Sequence, residues 1–295
     1  MPAQIVAIEP GIDKVRVQAE EQSLSTAPDD GEGAIKQIII DEDAYNINLR
    51  EMYDLLYQPP QVGDTVRFTI LAGVKIGSML SSIYEVQDSV PWWWTKFWTS
   101  EPDPAAIDVG DWPTGLTLEL VINAASSSAD AARVQGIGGF GGGWNGWNGT
   151  DFGGGTPRPG MQGGVAIRTR YPIAIENNGE IYGGGGGGGA GDDFSDPVSA
   201  NDYGGGGAGY LNTPVQVGAQ LFGGDGGANN SATYQRGTTE AGGAAGGPGA
   251  GAGGGPGQNG SNGSQGNGGA AGHAIDGDSY VTLTGSGTLL GTQVN

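Results

Sequence analysis

Glycine is concentrated in one half of this chain, where it also recurs with a period of three. The chain has 295 residues and 62 glycines, of which only eight precede position 136. Residues 183–189 and 204–207 are unbroken glycine, and from 251 to 272 every third residue is glycine. Such usage is far above that of ordinary domains, and it requires a structural explanation.

A period of three is typical of a left-handed extended helix, which has three residues per turn and no internal hydrogen bonds. Every third residue then lines one edge, and an edge of glycine lets a neighbouring backbone approach closely because no Cβ intervenes. Three interpretations compete: flexible coil, a collagen triple helix, and a sheaf of polyglycine-type helices bonded laterally. Collagen fits poorly, because Pro256 is the only proline in the periodic stretch.

The sheaf imposes a strict condition on backbone pairing. Ordering one residue costs about 1–2 kcal/mol, whereas a net hydrogen bond contributes about 1 kcal/mol. Nearly every backbone group in the sheaf must therefore be paired. We favour this interpretation over the other two.

Composition and motifs exclude several classes of function. The chain has 32 acidic and 12 basic residues, so its surface should repel a phosphate backbone and we expect no nucleic-acid partner. There is no cysteine, and neither the lone His273 nor the sequence Asp41, Glu42, Asp43 makes a convincing metal site. The G-x-G-x-x-G match at 136–141 is nearly inevitable in such a tract. We expect no cofactor, no metal and no enzymatic activity, and also no signal peptide or membrane span.

The sequence predicts three regions. Residues 1–90 indicate a mainly β, α+β domain, with strands near 14–18, 38–40, 62–71 and 74–86 and a helix that Asp43 caps. Residues 91–115 are a linker or interface segment rich in Trp and Pro. Residues 116–295 are predicted to form a polyglycine-II helix sandwich with short flanking β-strands, one of them at 116–123, and Asn178-Gly179 is a hairpin-turn signal.

An aromatic cluster falls in the middle region. It could pack between the two domains, or it could dock onto a partner subunit, since Trp is enriched at interface hot spots. Contact with a membrane surface is a weaker alternative, because flanking basic residues are few. The candidate docking residues are Trp92, Trp93, Trp94, Phe97 and Trp98.

A second group of aromatic residues lies in the segments that interrupt the glycine runs. These segments mix Trp, Tyr, Asn, Ser and Gly, the composition with which recognition loops build contact area. The alternative is that the rings cap the ends of the sheaf. We expect them to group at one tip and bind a receptor; the candidates are Trp144, Trp147, Phe194, Tyr203, Tyr210, Phe222, Tyr234 and Arg236.

The pattern of residues 116–295 resembles a known family. The sequence 178–182 runs straight into seven glycines, loops separate the glycine runs, and residues 271–277 close the tract. In this the chain is similar to receptor-recognition tips of tailed phages: the distal tail-fibre adhesins of T-even-type phages and the glycine-rich ends of siphophage tail-tip proteins.

The resemblance implies a virion tail protein with a polyglycine-II sandwich. Loops at one end would bind a bacterial outer-membrane protein or surface polysaccharide. The resemblance does not extend to residues 1–90, which we expect to dock to other tail or fibre proteins. A homotrimer is one assembly compatible with this role. Two alternatives stay open: a structural tail-tip component without host contact, and a polyglycine protein of the ice-binding type.

Overall fold

The computed structural model describes residues 35–78, 105–126, 130–142, 159–191, 204–209, 237–246 and 249–295. It also gives the backbone of four strands outside these ranges. Two of them, β1 (Gln4–Val6) and β2 (Val15–Gln22), form an antiparallel pair, and β2 also pairs antiparallel with residues 35–40. The other two, β11 (Trp144–Asn145) and β12 (Thr156–Pro157), pair only with each other.

The remaining strands form a three-sided β-solenoid of five rungs, and each rung contributes one strand to each of three parallel sheets. The first rung is β3 (Ile35–Ile40), β4 (Ala44–Tyr45) and β5 (Ile47–Asn48). The second is β6 (Thr65–Ile70), β7 (Lys75–Gly77) and β8 (Ile107–Asp108). The third is β9 (Thr117–Ile122), β10 (Arg133–Gln135) and β13 (Ile167–Arg168). The fourth is β14 (Ile173–Asn177), β15 (Glu180–Tyr182) and β16 (His273–Asp276). The fifth is β17 (Val281–Thr284), β18 (Thr288–Leu290) and β19 (Thr292–Val294). The prediction of a mainly β chain is thus confirmed.

The core of the solenoid consists of apolar side chains stacked from rung to rung along its axis. Alternate residues of each strand face inward, and the parallel register places like residues above one another. The stacks are Ile38, Phe68, Leu120, Ile175 and Leu283 in the first sheet, Ala44, Ile76, Val134, Ile181 and Leu289 in the second, and Ile47, Ile107, Ile167 and Ile275 in the third. In the fifth rung the third stack ends on Gln293, which is polar and exposed.

One α-helix, α1 (Leu49–Leu56), follows the first rung in the described part of the chain. Its cap is Asn48, whose side chain accepts a hydrogen bond from the Glu51 amide. The prediction that Asp43 caps the helix is wrong, because the Asp43 carboxylate instead accepts from the Lys75 amide at 2.7 Å. The helix buries Met52 and Tyr53, and the Tyr53 ring lies edge-on to Trp112. A short 3-10 turn (Asp278–Tyr280) precedes β17.

Asn178-Gly179 is a corner of the solenoid, and the prediction of a hairpin turn there is wrong. The strands on its two sides belong to different sheets: β14 pairs with β9 and β17, whereas β15 pairs with β10 and β18. Gly179 is needed because a Cβ at this position would lie 2.4 Å from the Ala132 carbonyl oxygen. The residue types of a tight turn are therefore used to change sheets rather than to reverse the chain.

The boundaries expected near residues 90 and 115 do not coincide with a break in the sheets. Strand β6, from the first predicted region, pairs with β9 from the third, and the described part of both regions shares one hydrophobic core. The division into 1–90, 91–115 and 116–295 accordingly stays a prediction. Strands from the first and the third of these regions are in direct contact.

Candidate functional site

The glycine-rich residues form two excursions from the same corner of the solenoid. The first leaves β10 at Gly136 and returns into β13, and the second leaves β15 at Gly183 and returns into β16. Both therefore run from the second sheet to the third, in successive rungs. The two excursions start side by side because β10 and β15 are adjacent parallel strands.

Residues 183–189 form the centre of the glycine region. All seven are buried, and each of their amide and carbonyl groups has a backbone partner at 2.7–2.9 Å. Complete pairing is the condition that the energetics impose on a sheaf without side chains.

Successive residues of this central segment bond to different neighbours in rotation. Gly184 donates to Gly164, Gly185 to Ala208 and Gly186 to Gln258, and the next three residues repeat the cycle. The carbonyl groups accept in the same rotation from three further segments. The six neighbours are 136–142, 160–164, 204–208, 251–257, 258–263 and 266–272. They also bond to one another in a closed ring around 183–189.

Glycine is required here because the neighbouring backbones occupy the places where side chains would begin. A Cβ on Gly187 would lie 1.9 Å from the Phe140 carbonyl oxygen, and one on Gly184 would lie 1.8 Å from that of Ile137. In the periodic stretch, a Cβ on Gly269 would meet the Met161 carbonyl oxygen at 1.9 Å. Real Cβ atoms do not approach oxygen so closely, so alanine at these positions requires the segments to separate.

The strand register of the solenoid continues in the hydrogen bonds of the glycine region. In the ladder between β10 and β15, Gln135 pairs with Tyr182. The amides of Gly136, Gly139 and Gly142 then donate to residues 182, 185 and 188, with a constant offset. On the return path the amides of residues 160, 163, 166 and 169 donate to 267, 270, 273 and 276, again with a constant offset.

The described ends of the glycine segments fall into two groups. The solenoid end of the region is marked by residues 136, 183 and 272, which adjoin strands. Gly209 and Gly257 also lie there, because Ala208 pairs with Gly185 and Gly257 with Gly183. The opposite end, called here the far end, is marked by Gly142, Gly191 and Gly204, since 142 and 205 pair with Gly188.

The predicted receptor residues lie outside the described residues, except for the backbone of Trp144 in β11. Their segments nevertheless begin and end at described positions. The segments 143–158, with Trp144 and Trp147, and 192–203, with Phe194 and Tyr203, both start and finish at the far end. The segment 210–236, with Tyr210, Phe222, Tyr234 and Arg236, starts and finishes at the solenoid end, where the Gly209 amide donates to the Thr238 carbonyl.

The predicted docking residues also lie outside the described residues: Trp92, Trp93, Trp94, Phe97 and Trp98. Their segment departs after Ser78, which follows β7 at the corner where the glycine excursions begin. There the Ser78 amide donates to the Gln135 carbonyl, and its hydroxyl accepts from the Ile137 amide.

A charge cluster around the buried Arg133 links residues 237–241 to the second sheet. The Arg133 side chain, only 7% exposed, bonds to Glu180 at 2.5 Å and to Glu240, and its guanidinium lies 4.9 Å from the centre of the Tyr182 ring. Burial lowers the pKa of Arg133, but the hydrogen bonds from its guanidinium to Glu240 and Glu180 outweigh this and leave the pKa raised. Gln135 adds a bond to the Thr239 carbonyl. The positive charge of Arg133 is thus paired on both sides.

Sequence reasoning missed this cluster, because Arg133 and Glu240 are far apart in the chain and neither belongs to a motif. It also missed the role of Asn259 and Asn262 at the surface. Their side-chain oxygens accept from the amides of Ala271 and Gly268, at 2.8 and 2.9 Å. The spacing of three between these asparagines, equal to the glycine period, is the signal that could have indicated it.

Two further structural findings concern the described residues alone. They contain no group of three or more His, Cys, Asp or Glu side chains placed to hold a metal ion. In the same part of the chain, no helix has the length and apolar character required to cross a bilayer.

Comparison with known proteins places this architecture in a family. The family model described as "Phage tail fibre adhesin Gp38" matches residues 36–294. No curated protein matches the chain. A similar solved structure is that of the gp37–gp38 adhesin tip complex of the bacteriophage S16 long tail fibre, with a TM-score of 0.49 and 22% identity, over 88% of this chain and 84% of that chain.

The family match spans both the solenoid and the glycine region, from the second residue of β3 to the last residue of β19. It confirms the resemblance found in the sequence and the expected location. The chain belongs to the Gp38 family of phage tail fibre adhesins and is a protein of the virion tail.

Proposed function

We propose that this adhesin binds a receptor on the bacterial surface, an outer-membrane protein or a surface polysaccharide, through the segments that interrupt its glycine runs. In this proposal the glycine region is a polyglycine-II sandwich that serves as a rigid scaffold, and the chain acts by binding rather than by catalysis. A rigid scaffold that carries exposed loops is a common arrangement for recognition.

The observation that carries the proposal is the bonding of residues 183–189. Polyglycine-II packing requires three residues per turn and six neighbours per helix, and hydrogen bonds that cycle through those neighbours fit this geometry. Each residue of the segment bonds to a different neighbour from the residue before it, and six segments surround it. This pattern favours a sandwich over flexible coil or a collagen triple helix.

The receptor contact is proposed first for Trp144, Trp147, Phe194 and Tyr203. The described residues that flank their two segments lie at the far end of the glycine region, which favours one common surface for the contact. Aromatic side chains provide large contact areas at low entropic cost. Tyr210, Phe222, Tyr234 and Arg236 form a second candidate group, because their segment begins and ends at the solenoid end.

Attachment to other tail-fibre proteins is proposed at the fifth rung of the solenoid, with the tryptophan cluster at 92–98 as the other candidate. Among the described residues, β17, β18 and β19 each have a strand partner on one side only. Leu283 faces the axis but is 39% exposed, whereas Ile38 at the other end of the same stack is fully buried. Three open strand edges beside the exposed Leu283 and the half-buried Leu289 fit a partner that supplies three strands, such as the end of a trimeric fibre.

The attachment proposal is tested by Leu283→Asp, with Val62→Asp as its control, since Val62 is 82% exposed and lies away from the fifth rung. We expect Leu283→Asp to prevent incorporation into virions while the purified protein remains folded, and Val62→Asp to be incorporated normally. Virions that carry both variants equally would place the attachment elsewhere, beginning with Trp92–Trp98.

The receptor proposal is tested by competition. Purified chain, added in excess to host cells, should occupy the receptor and block adsorption of the phage that carries this fibre. A chain that is folded but leaves adsorption unchanged at saturating concentration would favour the alternative of a structural tail component without host contact.

A further inference from the structure

Six Asn-Gly pairs occur in this sequence, at 145, 148, 178, 259, 262 and 267. Asn-Gly is chemically fragile, because the glycine amide has no neighbouring Cβ to hinder its approach to the asparagine side chain. The deprotonated amide nitrogen attacks the side-chain carbonyl carbon and ammonia leaves, which gives a cyclic imide. Water then opens the imide to aspartate or isoaspartate. The attacking atom in each case is the backbone nitrogen of the glycine.

In all four described pairs that nitrogen already donates a hydrogen bond. The Gly179 amide donates to the Asn177 side chain at 3.1 Å, and the Gly260 amide to the Gly269 carbonyl at 2.9 Å. The Gly263 amide donates to the Gly266 carbonyl at 2.8 Å, and the Gly268 amide to the Asn262 side chain at 2.9 Å.

Several of the asparagine side chains are held as well. The side-chain oxygens of Asn259 and Asn262 accept from the backbone amides of Ala271 and Gly268. The side-chain amide of Asn178 donates to the Glu176 carboxylate at 2.8 Å. A hydrogen bond to the side-chain oxygen restricts rotation of the asparagine side chain. Its carbonyl carbon is then less free to turn toward the backbone amide of the following glycine. Burial does not explain the protection, since Asn259, Asn262 and Asn267 are all exposed to water.

We infer that the hydrogen-bond pattern of the fold protects Asn178, Asn259, Asn262 and Asn267 from deamidation. A bonded amide must lose its acceptor before it can be deprotonated and attack, so each hydrogen bond raises the barrier to imide formation. The consequence matters most in the glycine region, because isoaspartate adds one carbon to the backbone and would break the three-residue spacing. This inference is independent of the proposed receptor.

The first test compares the native chain with the same chain in denaturant, at mildly alkaline pH and 37 °C, by peptide mapping with mass spectrometry. We expect deamidation at these four sites to be at least about tenfold slower in the native chain. Equal rates at these sites in the two states would overturn the inference.

The second test isolates one hydrogen bond. Asn262→Ala removes the acceptor of the Gly268 amide, the nitrogen that would attack Asn267. We expect deamidation at Asn267 to become about fivefold faster, in line with the loss of one net hydrogen bond, while Asn178 is unchanged. The matched control is Asn259→Ala, which removes a similar bond to Ala271, a residue that follows no asparagine.

Each outcome of the second test bears on the inference. Faster reaction at Asn267 in Asn262→Ala alone supports it. An unchanged rate at Asn267, or an equal increase in both variants, would show that the individual bond does not control the reaction. A thermal unfolding measurement on both variants shows whether a general loss of folding is the cause of any increase at Asn178.

Discussion

At Gly187 the absence of a single methyl group allows the glycine segments to lie side by side. The hydrogen of Gly187 faces the Phe140 carbonyl, and a Cβ there would lie 1.9 Å from that oxygen. By contrast, a Cβ on Gly255 would meet only the end of the Gln258 side chain, at 3.1 Å. The two glycines differ in what surrounds them and share a backbone conformation that alanine can adopt, since neither has a positive φ.

We therefore predict that Gly187→Ala destabilises the protein by about 3 kcal/mol or more, because rigid backbone must move apart. That loss lowers the melting temperature by several degrees. Gly255→Ala should leave it unchanged or raise it slightly, since alanine reduces the entropy of the unfolded chain. Equal melting temperatures for the two variants, measured by circular dichroism, would contradict the close packing of the central segment.

For individual residues, the sequence predicted which positions must be glycine but not how the side chains around them pair. The period of three from 251 to 272 follows from helix geometry alone, and most of these glycines do face a neighbouring backbone. The contact between Arg133 and Glu240 depends on how a long excursion returns to the sheet. No local pattern carries that information.

Among the elements, the junction of β10 with the first glycine segment links the two halves of the fold. The register of the β10–β15 ladder continues unchanged through the amides of Gly136, Gly139 and Gly142. In a helix with three residues per turn, each residue turns the chain by about 120°. One extra residue at the junction would therefore aim every later donor at the wrong neighbour.

Insertion of one glycine between Gln135 and Gly136 should thus lower the melting temperature strongly and increase amide exchange in residues 136–142 and 183–189. The control is one glycine inserted between Ser264 and Gln265, two exposed residues near the far end. There we expect a small effect, because the turn can widen without moving the adjoining segments. If hydrogen exchange is equally fast in both variants, the solenoid does not set the register of the glycine region.

The positions of several strands could be predicted from the sequence, but their partners could not. Alternation in residues 116–123 indicated β9, and Ile38, Ile39 and Ile40 indicated β3. These two strands stack in one parallel sheet with β6 between them, which requires long connections that local patterns do not predict. The same limitation explains the Asn178-Gly179 corner, since a tight turn is compatible with either reversal or a change of sheet.

For the whole molecule, the proposed receptor contact has to be assigned to one end of the glycine region. The sequence predicted that the aromatic residues of the interrupting segments group at one tip of the sheaf. The described residues that flank 143–158 and 192–203 lie at the far end, whereas those that flank 210–236 lie at the solenoid end. Because the solenoid end adjoins the proposed attachment surface, we propose that the far end approaches the cell.

The most direct test of a receptor contact at the far end measures how well purified variants compete with the phage for host cells. Trp147→Ala and Tyr203→Ala change far-end segments, and Phe222→Ala changes the solenoid-end segment. Loss of a central interface aromatic typically costs about 2 kcal/mol, which is roughly thirtyfold in affinity. A receptor contact at the far end predicts that the first two variants compete about thirtyfold less well at unchanged melting temperature, while Phe222→Ala competes like the unmodified protein. Full competition by Trp147→Ala and Tyr203→Ala, together with loss of competition by Phe222→Ala, would contradict it.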